Sequence, residues 1–298
     1  MMRRLLGLGA AGVLAALVAI GCSPVGTFNA LVPKDGGVAQ LASAIPYGEG
    51  PRRKLDIYAP KAVAKEPRPV IVFFYGGSWN SGTRRSYGFA ARALAAQGFV
   101  VVVPDYRLVP EVLFPGFLED GAAAVRWVRA NAGRYGGDGE RILLVGHSAG
   151  AYNAAMLALD PRWLGSDRAA IRGFAGLAGP YDFAPFDTPV SIATFGKWPD
   201  AADTQPIHFV DAGDPAALLL HGGDDETVRP SNSTSLAAAL TTAGVPVEIK
   251  LYPGIGHVGI AAAIARPFRG KAPTLADVTA FARKVTAGAT DKPAHPGD

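Results

Sequence analysis

One cysteine in 298 residues excludes any disulfide framework within the chain. With five histidines beside it, zinc ribbons, zinc fingers and cysteine-ligated clusters are excluded too. Charge is also scarce: 18% of residues are charged, and 29 basic against 25 acidic side chains leave a formal +4. That excess is too small and dispersed for a nucleic-acid surface, which needs a clustered basic stripe. Its only dense spots, Arg52-Arg53-Lys54 and Arg84-Arg85, read as solvated surface. What is abundant is apolar: 49% hydrophobic residues over this length can bury a large core, so stability must come from packing.

The single cysteine is informative by its position. Residues 1–21 carry Arg3 and Arg4, then an uncharged Leu- and Ala-rich stretch, and run through small residues into Cys22, the layout of a secretory signal. Ala19-Ile20-Gly21-Cys22 resembles the lipobox of bacterial lipoproteins, in which the cysteine becomes the acylated N-terminus. Ala19 stands where leucine is usual. An uncleaved anchor and an ordinary signal cleaved near Cys22 are the competing readings; the apolar core of about 16 residues is short for a ~30 Å bilayer. Each reading places the remaining chain outside the cytoplasm, and the resemblance implies a lipid-anchored protein of the bacterial cell envelope. Loss of residues 1–21 leaves 27 basic and 25 acidic residues, a balance of +2.

Residues 23–39 lack periodicity, so 22–39 reads as a tether. Two alternating stretches, about 41–48 and 53–58, flank the turn Gly48-Glu49-Gly50-Pro51 and predict a β-hairpin at a sheet edge. Short apolar runs follow at 70–75, 99–104, 142–145, 173–177, 217–220 and 247–252, mostly apolar on both faces, as in a parallel sheet covered by helices. Between them, helical patterns lie at about 86–97, 118–134, 149–159, 231–243 and 274–287. The alternation implies right-handed βαβ crossovers and one doubly wound, mostly parallel α/β domain over 40–290. The stretch at about 182–210 has no clear period and reads as a small cap insertion; 291–298 is a polar tail.

The sharpest local signal is Gly146-His147-Ser148-Ala149-Gly150, between the apolar strand Arg141–Val145 and a helical run. This is the strand–turn–helix context of a nucleophile elbow, with glycines that leave room for a strained serine. A plain turn with Ser148 as helix N-cap is the bland alternative. A serine hydroxyl needs a base oriented by a carboxylate. His257, in a glycine-rich loop after the last apolar strand, lies at the carboxyl edge where open α/β sheets place their sites. His147 adjoins the serine and reads as a variable position; His208 falls in the insertion, His221 in a turn and His295 in the tail. The loop after the 217–220 run offers Asp224, Asp225 and Glu226 as the acid, and residue chemistry alone does not choose among them.

Tyr75-Gly-Gly-Ser-Trp79, Pro104-Asp-Tyr-Arg-Leu108, Gly146–Gly150, Gly179-Pro-Tyr-Asp-Phe183, the acidic loop and Gly256-His257 together resemble the α/β-hydrolase superfamily. Within it they are similar to esterases of the hormone-sensitive-lipase and feruloyl-esterase-like groups. The resemblance spans about 70–257 in the order Ser, Asp, His. It selects Asp225, followed three residues later by Val228, and leaves Asp224 to the turn. It implies oxyanion donors at the N–H groups of Gly77, Ser78 and Ala149, with Tyr75 where a loop-organising histidine is usual. Asp105 and Arg107 match a segment that braces the loops. Tyr75, Trp79 and Phe183 are candidate pocket residues, with Phe186, Phe195 and Trp198 near them. The implied activity is hydrolysis of short-chain or aromatic carboxylic esters, with no metal or other cofactor. An amide hydrolase of arylformamidase or peptidase type, and an inactive envelope binding protein on the same fold, stay open as alternatives.

Overall fold

A computed structural model describes residues 24–287. Among the described residues, eight strands form one sheet in the order β1-β2-β4-β3-β5-β6-β7-β8. They are β1 (Val38–Pro46), β2 (Lys54–Pro60), β3 (Arg68–Phe74), β4 (Val100–Pro104), β5 (Gly137–His147), β6 (Ile171–Leu177), β7 (Ala216–Gly222) and β8 (Val247–Tyr252). β1 pairs antiparallel with β2, and β2 with β4; every other pairing is parallel. The two modes follow the connections. A short turn can reverse a hairpin, whereas parallel neighbours need a crossover long enough to carry a helix.

The helices are α1 (Pro24–Leu31), α2 (Gly88–Ala95), α3 (Gly116–Asn131), α4 (Ala149–Leu159), α5 (Pro161–Leu164), α6 (Pro189–Phe195), α7 (Ser231–Thr242), α8 (His257–Ala262) and α9 (Thr274–Thr286). The β3, β4 and β5 runs Val70–Phe74, Val100–Val103 and Ile142–Val145 are buried on both faces, which is why they show no apolar–polar alternation. Each such Val, Ile or Leu contributes about 1.5–3 kcal/mol by leaving water. α4 is buried along its whole length. Its small residues Ala149, Gly150, Ala151, Ala154 and Ala155 let it pack closely against β5 and β6, next to the candidate nucleophile.

The expectation of a tether over 22–39 fails for its described part. Residues 24–31 are helical and docked: Phe28 meets Phe89 edge-on at 5.1 Å and Phe268 at 5.6 Å. The Asn29 side chain donates to the Arg85 carbonyl and accepts from the Phe89 N–H. Asp35 pairs with Arg269 at 2.7 Å. The segment is too short and Gly-broken to show a helical period, yet two aromatic contacts and one asparagine are enough to seat it. Cys22, the signal at 1–21 and the tail at 291–298 lie outside the described residues. The insertion at 182–210 holds α6, capped by reciprocal Thr188–Ser191 hydrogen bonds, and two short 3₁₀ turns.

Candidate active site

β3, β5, β7 and β8 all end on the carboxyl edge of the sheet, and the loop after each delivers one part of the site. Ser148 follows β5 with φ 55° and ψ −124°, a strained conformation for a non-glycine residue. Its N–H donates to the Leu177 carbonyl at 2.9 Å, which ties the elbow to β6. A Cβ on Gly146 would collide with the Gly150 backbone, and one on Gly150 with the Phe74 backbone. The two glycines of the motif are therefore steric requirements of this turn.

Ser148 Oγ lies 2.9 Å from His257 Nε2, and His257 Nδ1 lies 2.7 Å from Asp225 Oδ2. His257 stands 109 positions from Ser148 and 32 from Asp225 in the chain, and folding brings the three side chains into one line. Asp225 is buried and fully engaged. Its Oδ1 accepts from the Thr227 and Val228 N–H groups, both at 2.9 Å, and Oδ2 lies 3.2 Å from a second imidazole nitrogen, His221 Nε2. Val228, three positions on, thus caps the Asp225 carboxylate through its backbone N–H. Asp224 is exposed and accepts from the Gly254 N–H at 3.3 Å, bracing the loop that carries His257.

His221 is wholly buried, with Nδ1 2.7 Å from Ser233 Oγ and Nε2 2.8 Å from the Val228 carbonyl. Burial lowers its pKa. His147 is buried beside Ser148, with Tyr87 Oη 2.8 Å from Nδ1 and the His257 carbonyl 3.0 Å from Nε2. Burial, then the nearby His257, lower its pKa to about 3. The sequence suggested a plain turn residue at His221 and a variable position at His147; both instead hold specific partners within the site. The only signal for them was a histidine next to a catalytic-type motif; the partners of His147 are remote in the chain, and those of His221 lie within 12 residues but meet it only in the folded loop.

The Gly76–Ser78 loop follows β3 and abuts the elbow: a Cβ on Gly76 would stand 3.0 Å from Ser148 Cβ and 2.9 Å from His147 Nδ1. Gly77, Ser78 and Trp79 all have positive φ, and the Gly77 carbonyl accepts from the N–H groups of Asn80 and Ser81. That turn engages the Gly77 carbonyl within its own loop. Ala149 opens α4, where an N–H has no intrahelical acceptor.

Tyr75 does not line a pocket. It is completely buried and stacked on Tyr106 at 4.6 Å, and its hydroxyl accepts from Arg52 at 2.9 Å. Burial also raises its pKa. Arg52 further donates to the carbonyls of Tyr106 and Gly82, so tyrosine and arginine together organise the loop. Trp79 and Phe183 do meet, stacked at 6.4 Å, in a cluster with Tyr152, Phe186 and Phe195; Trp79 Nε1 donates to Asn153 Oδ1 at 3.2 Å.

The basic spots read as solvated surface are mostly scaffold. Arg84 is buried against Asp56 at 2.8 Å and also pairs with Asp105; Arg53 and Arg107 share the buried Asp120 at 2.7 and 2.8 Å. Asp105 and Arg107 brace the loops through these separate partners. Charges that cluster in sequence look solvent-facing until the acids that neutralise them, far away in the chain, are placed.

The BD-FAE family profile matches residues 55–189. Carboxylesterase NlhH of Mycobacterium tuberculosis is 32% identical over 224 residues, covering 67% of this chain and 69% of that protein. The chain belongs to the α/β-hydrolase esterase family. Another member, esterase LipC of the same species, is 32% identical over 234 residues, 71% of this chain; the chain spans only 58% of LipC's length. Among solved structures, a truncated carbohydrate esterase from gut microbiota shares the fold with a TM-score of 0.76 at 24% identity, covering 86% of this chain and all of that one. Thermogutta terrifontis esterase 2 with butyrate bound has a TM-score of 0.68 at 22% identity, over 86% and 97% of the two chains.

Proposed function

We propose that this chain is a carboxylesterase-type serine hydrolase. The observation that carries the reading is the unbroken line from Ser148 Oγ through His257 to Asp225 Oδ2, at 2.9 and 2.7 Å. Asp225, an acceptor only, fixes the proton of His257 on Nδ1 and leaves Nε2 to take the serine proton. Ser148 Oγ attacks the ester carbonyl carbon, and the tetrahedral oxyanion takes hydrogen bonds from the Gly77, Ser78 and Ala149 N–H groups. Each such donor is worth on the order of 10²–10³ in rate. His257 gives its new proton to the leaving alcohol as the C–O bond breaks. Water, deprotonated by the same imidazole, then attacks the acyl-enzyme, releasing the acid and restoring Ser148.

The proposed substrates are esters of short-chain or aromatic acids. The brief insertion at 182–210 supports this, as does the butyrate held by the Thermogutta esterase. Phe183 and Phe186, both half-buried at the edge of the aromatic cluster, would contact the acyl group. Initial rates on p-nitrophenyl acetate, butyrate and laurate, beside N-formylkynurenine and a proline amide, test the reading. Turnover of acetate and butyrate well above laurate and both amides supports it; faster amide cleavage overturns it.

We further propose export and lipid attachment at Cys22, a reading that rests on the sequence. Because α1 is seated from Pro24 onward, such an anchor would hold the domain directly against the bilayer rather than on a slack leash. Palmitate incorporation lost in Cys22→Ala is the expected result, and unchanged incorporation would contradict it.

A further inference from the structure

Tyr87 and His147 do not face the reacting atoms, yet they join the two halves of the site. Gly76 packs against the His147 ring, where a Cβ would stand 2.9 Å from Nδ1. Tyr87 Oη stands 2.8 Å from His147 Nδ1, and His147 Nε2 stands 3.0 Å from the His257 carbonyl. A carbonyl only accepts, so His147 carries its proton on Nε2 and must accept at Nδ1. Tyr87 is then the donor to Nδ1. Every group in the chain Tyr87, His147, His257 has one role, and no member can reverse without breaking its neighbour's bond.

Both side chains are buried, and the His147 ring lies 5.0 Å from the His257 ring. In so dry a place an unpaired hydroxyl or ring nitrogen is costly, so the chain holds together or fails together. Its ends are the Tyr87 hydroxyl and the backbone of the general base, and Gly76, which begins the oxyanion loop, packs on its middle member. Its middle member adjoins the nucleophile in sequence. Tyr87 follows β3, His147 closes β5 and His257 follows β8, and the hydrogen-bonded chain links them side by side.

We propose that Tyr87 and His147 are positioning residues, which lock the Gly76–Ser78 loop and the His257 backbone to the nucleophile turn as one body. The proposal rests on the serine-esterase reading above. Burial keeps His147 neutral, with a pKa near 3, so the donor order persists wherever His257 can act as a base.

The test uses the full chain with Tyr87→Phe, His147→Phe, the double variant and His147→Gln, whose amide supplies a donor and an acceptor. Steady-state kinetics on p-nitrophenyl butyrate are normalised to sites titrated with a fluorophosphonate, and thermal midpoints are recorded alongside. Misplacement of reacting groups by about 1 Å can cost about 10²-fold. Each phenylalanine variant is therefore expected to lose about tenfold to hundredfold in kcat, with KM within about threefold. The double variant should lose no more than His147→Phe alone, and His147→Gln should recover most of the rate. Folded variants with wild-type kcat per titrated site, or losses that multiply in the double variant, would overturn the coupling. A wild-type protein that neither turns over nor labels would instead remove the esterase reading beneath it.

Discussion

Asp225 and His221 stand 3.2 Å apart, Oδ2 to Nε2, and both are buried. The same carboxylate oxygen meets His257 Nδ1 at 2.7 Å, so it stands between two imidazoles. His221 is itself pinned by Ser233 and the Val228 carbonyl. Removing it leaves the acid its two backbone donors but loosens its lateral placement. His221→Phe is expected to lower kcat about tenfold while leaving KM within about threefold, since positioning is lost and binding is not. Equal kinetics in the variant would show that the backbone donors suffice.

Asp225→Asn and Asp224→Asn separate the acid from its neighbour. An amide at Asp225 favours the wrong histidine tautomer, and such a change costs on the order of 10⁴ in kcat in the best-studied triad. Asp224 is exposed and holds only the Gly254 N–H, so its variant should stay within about threefold. Comparable losses in both would place the acid elsewhere.

Gly146→Ala and Gly150→Ala should fail by sterics. The added methyl meets backbone atoms that cannot rotate away, Gly150 in the first case and Phe74 in the second. A destabilisation of several kcal/mol is expected, beyond the roughly 0.5–3 kcal/mol of most substitutions. Denaturant melts of the two variants check it; near-wild-type midpoints would mean that the turn relaxes.

Acid sensitivity follows from the two buried neutral histidines. The folded-state pKa of His147, about 3, lies below its unfolded value near 6.5, and burial shifts His221 in the same direction. Between those values the unfolded chain binds protons that the folded chain refuses. The stabilising contribution of His147 is therefore complete above about pH 6.5 and is lost as pH falls toward 3, and that of His221 is lost in the same direction. Each histidine adds a slope of at most about 1.4 kcal/mol per pH unit. Unfolding free energies from about pH 7 to pH 4 should fall less steeply in His147→Gln than in the wild type; identical slopes would contradict the assignment.

The sheet and the Ser–His pair could be read from the sequence because their signals are local. Apolar runs such as Val70–Phe74 declare buried strands, and the glycines around Ser148 declare a tight turn. Asp225 needed the family pattern, because what distinguishes it from Asp224 is two backbone donors and a histidine that only folding supplies. Tyr75 was misread as pocket lining because Arg52, which holds its hydroxyl, lies 23 positions away. The same remoteness hid α1's docking on Phe89 and Phe268, and the pairing of Arg84 with Asp56 and Asp105. His147 gave the weakest hint of all: nothing in the motif sets it apart, and its meaning lies in Tyr87 and His257.

On the proposed mechanism Ser148 is the nucleophile, activated by His257. Peptide mass mapping after fluorophosphonate treatment of the folded chain tests it most directly. One adduct on the peptide carrying Ser148, absent in Ser148→Ala and strongly slowed in His257→Ala, is the predicted result. An unlabelled Ser148 in folded protein, or ester hydrolysis at the wild-type rate by Ser148→Ala, would contradict it.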